Sequence, residues 1–235
     1  MEDEIGKHTK EILSVSKEKT GSFKEKMGKI ALEIVIIVFS IMVSLWLDNW
    51  NDKRKERTEV KEFLADLSED LTQDTATIKS RMNKLKPYVK EYIFALNLTS
   101  GQLDSMKKAK GTVYLNFDFI PFQLNEGNYQ GFKSSGKIGF IDNKDLKKQI
   151  LAYHEQIIPG LKEVEKIHME HQKALRNTFF GGIYSEKSAK QTFTDPLVKA
   201  ELNAAKVFSD LMVQFSELSL QQADSLLLLI HKELK

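Results

Sequence analysis

Cysteine is absent from the chain, which excludes disulfides, thiolate nucleophiles and thiolate metal sites. Proline occurs only four times and glycine twelve times in 235 residues. That scarcity argues against a loop-rich sandwich or a disordered tail, and with 29% charged residues it favours a helix-rich domain. Neither sign of charge dominates. The formal net charge of +2 is too small and too evenly spread for a nucleic-acid surface. No Gly-x-Ser-x-Gly motif occurs, and no local Ser, His and Asp arrangement stands out.

What the chain does have is one long apolar run. Ile30 to Leu47 is apolar apart from Glu33, Ser40 and Ser44. As a helix these eighteen residues span roughly 27 Å, close to the hydrocarbon thickness of a bilayer. Trp46, Trp50 and Asn51 stand where an interfacial belt would anchor the helix, and charged residues close both ends. The run exceeds a usual signal-peptide core and lacks a small-x-small cleavage site after it. The spacing therefore predicts an uncleaved membrane anchor over residues 22–52 with its core at 30–47, between an N-terminal tail (1–21) and a large domain (53–235).

The tail carries little apolar content beyond Ile5, Ile12, Leu13 and Val15 and reads as disordered or as a weak surface helix. Thr20-Gly21 interrupts it, and Ser22 with Glu25 matches a capping box, so the anchor helix is expected to begin at Ser22. Orientation stays open on charge alone. Lys17, Lys19, Lys24, Lys26 and Lys29 precede the span, and Lys53, Arg54, Lys55, Arg57 and Lys61 follow it. Within the span Glu33, Ile37, Ser40 and Ser44 fall on one stripe. Hydroxyl residues let helices approach and bond, and an intramembrane carboxylate is costly unless paired or hydrated. The stripe is either a docking face for another membrane helix or a passive surface whose Glu33 snorkels to the headgroups.

The remainder predicts an all-α bundle of four to six helices. Val60, Leu64, Leu67, Leu71, Ile78 and Leu85 recur at 4-3-4-7-7 spacing, with Asp74 and Arg81 in the skipped positions. That stripe packs either within its own domain or in a coiled-coil stalk between subunits. Pro87 is expected to start a new helix that ends at Thr99-Ser100-Gly101. Residues 112–120 alternate like a strand but lack an obvious partner, so an extended segment lying over helices is the alternative. Asn125 is read as the cap of a short helix and Gly136 as its left-handed end. Asn143 caps a further helix, which Pro159-Gly160 kinks or interrupts. Phe179 to Gly182 reads as a break followed by polar loop to Thr194. Asp195-Pro196 opens another helix, and a last one runs from about Val207 to Leu234 with Leu211, Met212, Phe215, Leu218, Leu226, Leu229 and Ile230 as its apolar content.

Two segments carry a resemblance. Glu33-Ile34 at the start of the anchor and Asp48 to Asn51 at its end, followed by basic residues, resemble a family of uncharacterised single-pass membrane proteins of Gram-negative bacteria. Lys133, Ser134, Ser135, Gly136 and Lys137, followed by Ile141, Asn143 and Leu146, resemble that family's mid-domain segment. The chain departs from the pattern at Leu32 (glycine in the family), at Asp48 (asparagine) and in a longer, more charged amino terminus. The resemblance implies an inner-membrane anchor with the N-terminus in the cytoplasm and the domain in the periplasm. It implies no reaction.

Candidate chemical sites are few. Gly131 to Lys137 matches a P-loop up to its last position, where Ile138 replaces the magnesium-ligating hydroxyl, and no apolar strand precedes it. A helix-ending glycine explains it better. Glu165, His168 and His171 put a carboxylate and two imidazoles on adjacent helical turns, a geometry metals use, but they lack further ligands. No cofactor or catalytic residue is expected. The functional expectation is a non-enzymatic accessory subunit held in the bilayer that contacts inner-membrane or periplasmic proteins or its own copies. A ligand sensor, with a pocket lined by Phe117, Phe119, Phe122 and Tyr129, is the alternative, and a periplasmic metalloenzyme a third.

Overall fold

The fold comes from a computed structural model that describes residues 2–109, 115–184 and 188–235. Among these the chain is helical with no strand, as its composition predicts. It divides into two units, residues 1–56 and 57–235.

The described residues of the first unit are all helical. Helix α1 (Glu2–Leu96) begins well before Ser22 and passes through Gly21 without a break. The expected start at Ser22 is therefore corrected; the side chains of Ser22 and Glu25 lie outside the described residues. The apolar window near the N-terminus reaches a mean hydropathy of 2.6, and none of it is buried. A core helix of a soluble protein would be covered by its own chain. This one exposes Phe39, Met42, Leu45 and Trp46 by 58–66%, so α1 is a candidate membrane anchor.

In the second unit the stripe on α1 is covered by its own domain. Leu64, Leu67, Leu71, Ile78 and Leu85 are each at most 1% exposed, which leaves no seam for a stalk between subunits. Pro87 does not start a helix; it lies inside α1. Pro87 lacks the N–H that would bond Asn83, and both residues face solvent, which takes the orphaned carbonyl.

Two further long helices complete the core, α5 (Ile158–Tyr184) and α7 (Pro196–Glu233). The short helices are α2 (Ser100–Lys108), α3 (Gly127–Ser134), α4 (Lys144–Ala152) and α6 (Ala189–Thr194). Their buried positions repeat every three and four residues. On α5 they are Ile158, Leu161, Glu165, His168, Gln172, Leu175 and Phe179. On α7 they include Leu202, Ala205, Ser209, Met212, Ser216, Ser219, Ala223, Leu226 and Ile230. Five of the eleven buried α7 positions are Ala or Ser, small residues that favour close helix packing; of the large residues expected there, Leu218 is 40% exposed. Between α1 and α5, Arg81 pairs with Glu165 and Tyr92 bonds Gln172, while between α1 and α7 Lys86 meets Glu217 and Ser68 meets His231. Sequence order along these contacts makes α5 parallel to α1 and α7 antiparallel to both.

Three other expectations are corrected. Pro159-Gly160, expected to kink or interrupt the helix, does not interrupt it; a local irregularity precedes it instead. A π turn (Tyr153–Ile157) joins α4 to α5, with the Ile158 N–H bonded to the Tyr153 carbonyl. The proline ring would collide with the carbonyl four residues back, that of Glu155, and the widened turn lies there. Gly181-Gly182 is not a break either, because α5 continues to Tyr184 and α6 occupies part of the expected loop. A Cβ on Gly182 would lie 3.2 Å from Thr192, so this glycine lets α6 close onto α5. Finally, α7 is one helix from Pro196, capped by Asp195 as expected, with no separate start near Val207.

The segment 115–126 is extended without strand pairing; residues 112–114 lie outside the described part. Side chains replace the missing strand partner. Its N–H groups at Asn116, Asp118, Phe122 and Asn125 donate to Glu91, Gln172, Glu165 and Asp74 on α1 and α5. Buried amides require acceptors, and helix side chains supply them here.

Candidate functional site

The segment at 115–126 closes a charged cluster in the core of the second unit. Arg81 on α1 donates through Nε and Nη2 to Asp118 Oδ2 at 3.1 and 2.8 Å. Its Nη1 lies 3.3 Å from Glu165 Oε1 on α5, at ion-pair distance but outside hydrogen-bond geometry. The guanidinium also stacks on Phe122, 4.7 Å from the ring centre. Behind it the single O–H of Tyr92 is shared between Gln172 Oε1 at 2.8 Å and the Asn116 carbonyl. All these side chains are buried.

Burial pushes the Asp118 carboxyl up, but His168 and Arg81 together outweigh burial and hold it below the ordinary range. At Glu165 burial dominates; the Phe122 N–H and Arg81 only partly offset it, so its pKa is raised. Burial also raises the Tyr92 phenol.

The cluster contains a serine, a histidine and an aspartate in sequence across space. Ser209 Oγ lies 3.4 Å from His168 Nδ1, and His168 Nε2 lies 3.5 Å from Asp118 Oδ2. The order is that of a hydrolase triad, yet Ser209 and His168 are both 0% exposed, and Gln172 Nε2 also reaches Ser209. No carbonyl substrate can reach this serine. The arrangement acts as a polar core that fixes the register of three helices and the extended segment.

The sequence-predicted residues are distributed differently. Glu165 and His168 join the cluster, but His171 turns away, stacks on Phe208 at 4.3 Å and faces Glu201. The trio does not converge, and no group of three or more His, Asp or Glu is placed to hold a metal among the described residues. Glu33, Ile37, Ser40 and Ser44 are exposed on α1, where Ser40 and Ser44 bond back to the carbonyls of Ile36 and Ser40. Trp46, Trp50 and Asn51 are exposed as well, with Arg54 over the Trp50 ring. The four aromatics do not share a pocket. Tyr129 is fully buried and stacks on His154, and Phe119 lies under Arg176, while Phe117 and Phe122 line a groove against α1.

The segment Lys133 to Asn143 is a structural junction. Lys133 pairs with Glu155 in the π turn, and Lys137 pairs with Glu59 on α1. Ser134 and Ser135 bond back to Gly131 and Phe132 at the end of α3. Asn143 caps α4 through the Leu146 N–H, as expected, and also holds Glu233 on α7. Asn125 is not the cap of α3, whose N-cap is Glu126; instead its amide reaches Gln73 and Asp74. Gly136 has φ 75, the left-handed turn its position predicted, between α3 and a short 3-10 turn (Lys137–Phe140). Gly136→Ala is expected to lower stability by about 1 kcal/mol. Gly139→Ala, with open space around it, serves as the near-neutral control. Urea midpoints of the two variants check this, and equal losses would contradict it.

The described residues thus define an all-helical domain tied by a buried charge network, on a chain that also carries an exposed apolar helix. Residues 33–166, more than half of the chain, match a family of unknown function (DUF6090), and the chain belongs to that family. The matched range includes part of the apolar run, Arg81, Asp118, the Lys133–Asn143 junction and Glu165. No curated protein matches, and no solved structure matches.

Arg81 was legible only as a skipped seam position. Asp118 lies in a segment without helical period, and Gln172 and Ser209 resemble ordinary helix residues. The three-and-four repeat of α5, with Glu165, His168 and Gln172 at its centre, is the signal that locates the cluster.

Proposed function

We propose that this chain is a membrane-anchored accessory subunit that docks through its apolar helix and presents the helical domain to partner proteins. The observation that carries this reading is the apolar window of α1, of which nothing is buried. An exposed surface of this extent requires lipid or another helix. In a Gram-negative envelope the anchor would lie in the inner membrane, with the N-terminus in the cytoplasm and the domain in the periplasm. Ser40 and Ser44 bond within their own helix, so docking of the stripe relies on close backbone approach and on Glu33 finding a partner donor.

Purification in mild detergent should recover a complex or an oligomer, and Glu33→Leu/Ser40→Leu should dissolve it. Because the chain has no cysteine, a single Ser40→Cys reports self-association directly through disulfide capture in membranes. A monodisperse monomer, indifferent to the double substitution and uncaptured by the cysteine, would refute the proposal. Reporter fusions at the two ends test sidedness.

A second reading, a ligand sensor, is favoured by one observation, the groove of about 600 Å³ between α1 and the extended segment.

A further inference from the structure

We infer that this groove is a binding site for a small amphipathic monoanion, an aryl or alkyl carboxylate. Its volume of about 600 Å³ falls within the range of small-molecule sites, about 300–1,000 Å³. One wall is α1, where Ala76, Thr77 and Ser80 are small and exposed and leave space unfilled. The other is apolar, formed by Phe117, Ile120, Pro121 and Phe122. Ile120 is 66% exposed, and the segment is held so that it stays at the rim: its N–H turns back onto Asp118, and the neighbouring amides are tied to Gln172 and Glu165.

Charge decides the class of occupant. The groove is lined by two cations, Arg81 and Lys84, and by one carboxylate, Asp118. Arg81 is itself already engaged, 2.8 Å from Asp118 and 3.3 Å from Glu165 behind the groove, so it is not free for a ligand. Lys84 is exposed and has no ion-pair or hydrogen-bond partner among the described residues, so one positive charge remains uncompensated beside an apolar wall. Tyr88, a turn further along α1, adds a phenol at the same end. A ligand with one negative charge and an apolar body matches this pattern. A cation would find no free carboxylate there, and a dianion would exceed the single free lysine.

The test uses the full chain in nanodiscs of zwitterionic phosphatidylcholine, with 4-phenylbutyrate titrated by calorimetry and empty discs as the blank. The parent should bind one equivalent saturably. Lys84→Glu should weaken binding about tenfold, the combined loss and reversal of an exposed charge pair. Ile120→Glu should weaken it comparably by placing a like charge in the apolar wall. Both positions are exposed, so unfolding midpoints should stay at the parent value. Heats equal to those of empty discs would overturn the inference. So would variants that bind like the parent, or 4-phenylbutan-1-ol binding as tightly as the acid. The measurement needs no partner protein, so its outcome is separable from that of the docking proposal.

Discussion

Replacing Arg81 with leucine should destabilise the helical domain by about 3–5 kcal/mol, the cost of leaving buried charges without their partner. Arg81 is the cation between two buried carboxylates, 2.8 Å from Asp118 and 3.3 Å from Glu165. Without it Asp118 keeps His168 and the Ile120 N–H, and Glu165 keeps the Phe122 N–H. Both carboxyls then favour their neutral forms, so the loss should be larger at pH 7.5 than at pH 5. Arg81→Lys should recover only part of it, because an ammonium cannot donate through a fork to Asp118 while facing Glu165. Adding Asp118→Asn and Glu165→Gln to Arg81→Leu should restore most of the stability, since no net charge is then left buried. Urea unfolding of the full chain followed by circular dichroism measures all of this. A loss under 1 kcal/mol for Arg81→Leu, or no rescue by the neutral pair, would mean that the cluster does not hold the fold as described.

The second large effect concerns acid. Burial raises Asp74 to about 6 from an ordinary 3.8, with the Asn125 N–H offsetting it in part. Burial lowers His154, in the π turn, to about 4 from 6.5, and neither of its ring nitrogens has a hydrogen-bond partner. The two act in opposite directions. A carboxyl raised by folding contributes stability below its unfolded pKa and loses it as pH climbs towards 6. A base depressed by folding contributes stability above 6.5 and loses it as pH falls towards 4. Each contribution is about 3 kcal/mol, so over roughly pH 4–6 they nearly cancel. Asp74→Asn should therefore gain about 3 kcal/mol relative to the parent between pH 4 and 6. His154→Phe, which keeps the ring stacked on Tyr129, should lose a similar amount relative to the parent over the same range. If either difference from the parent stays constant with pH, that residue is not buried in the way described.

The same two residues show how reading and structure divide. Asp74 and Arg81 interrupt the apolar stripe of α1, and spacing alone marked them as anomalies without saying what they meet. Their partners are more than thirty positions away, at Asn125 and Asp118. No periodic signal links a helix to an aperiodic segment.

The amino-acid sequence by itself determined what is local. Eighteen residues almost without polarity make a candidate membrane anchor, because a helix of that length matches the bilayer thickness. The caps at Asn143 and Asp195 and the left-handed Gly136 were also readable, because each depends on one residue's own hydrogen bonding or backbone freedom. Only the tertiary structure decided the rest. Pro87 read as a new helix start, Pro159-Gly160 as a kink or interruption and Gly181-Gly182 as a break, because each opposes helix continuation locally. Yet α1 and α5 run through Pro87 and the glycines, and a π turn carries the chain past Pro159. Packing of long helix faces exceeds the few kcal/mol that a proline or glycine withdraws. The charge cluster was likewise decided in three dimensions, since a buried ion is tolerable only where several distant elements place compensating groups around it.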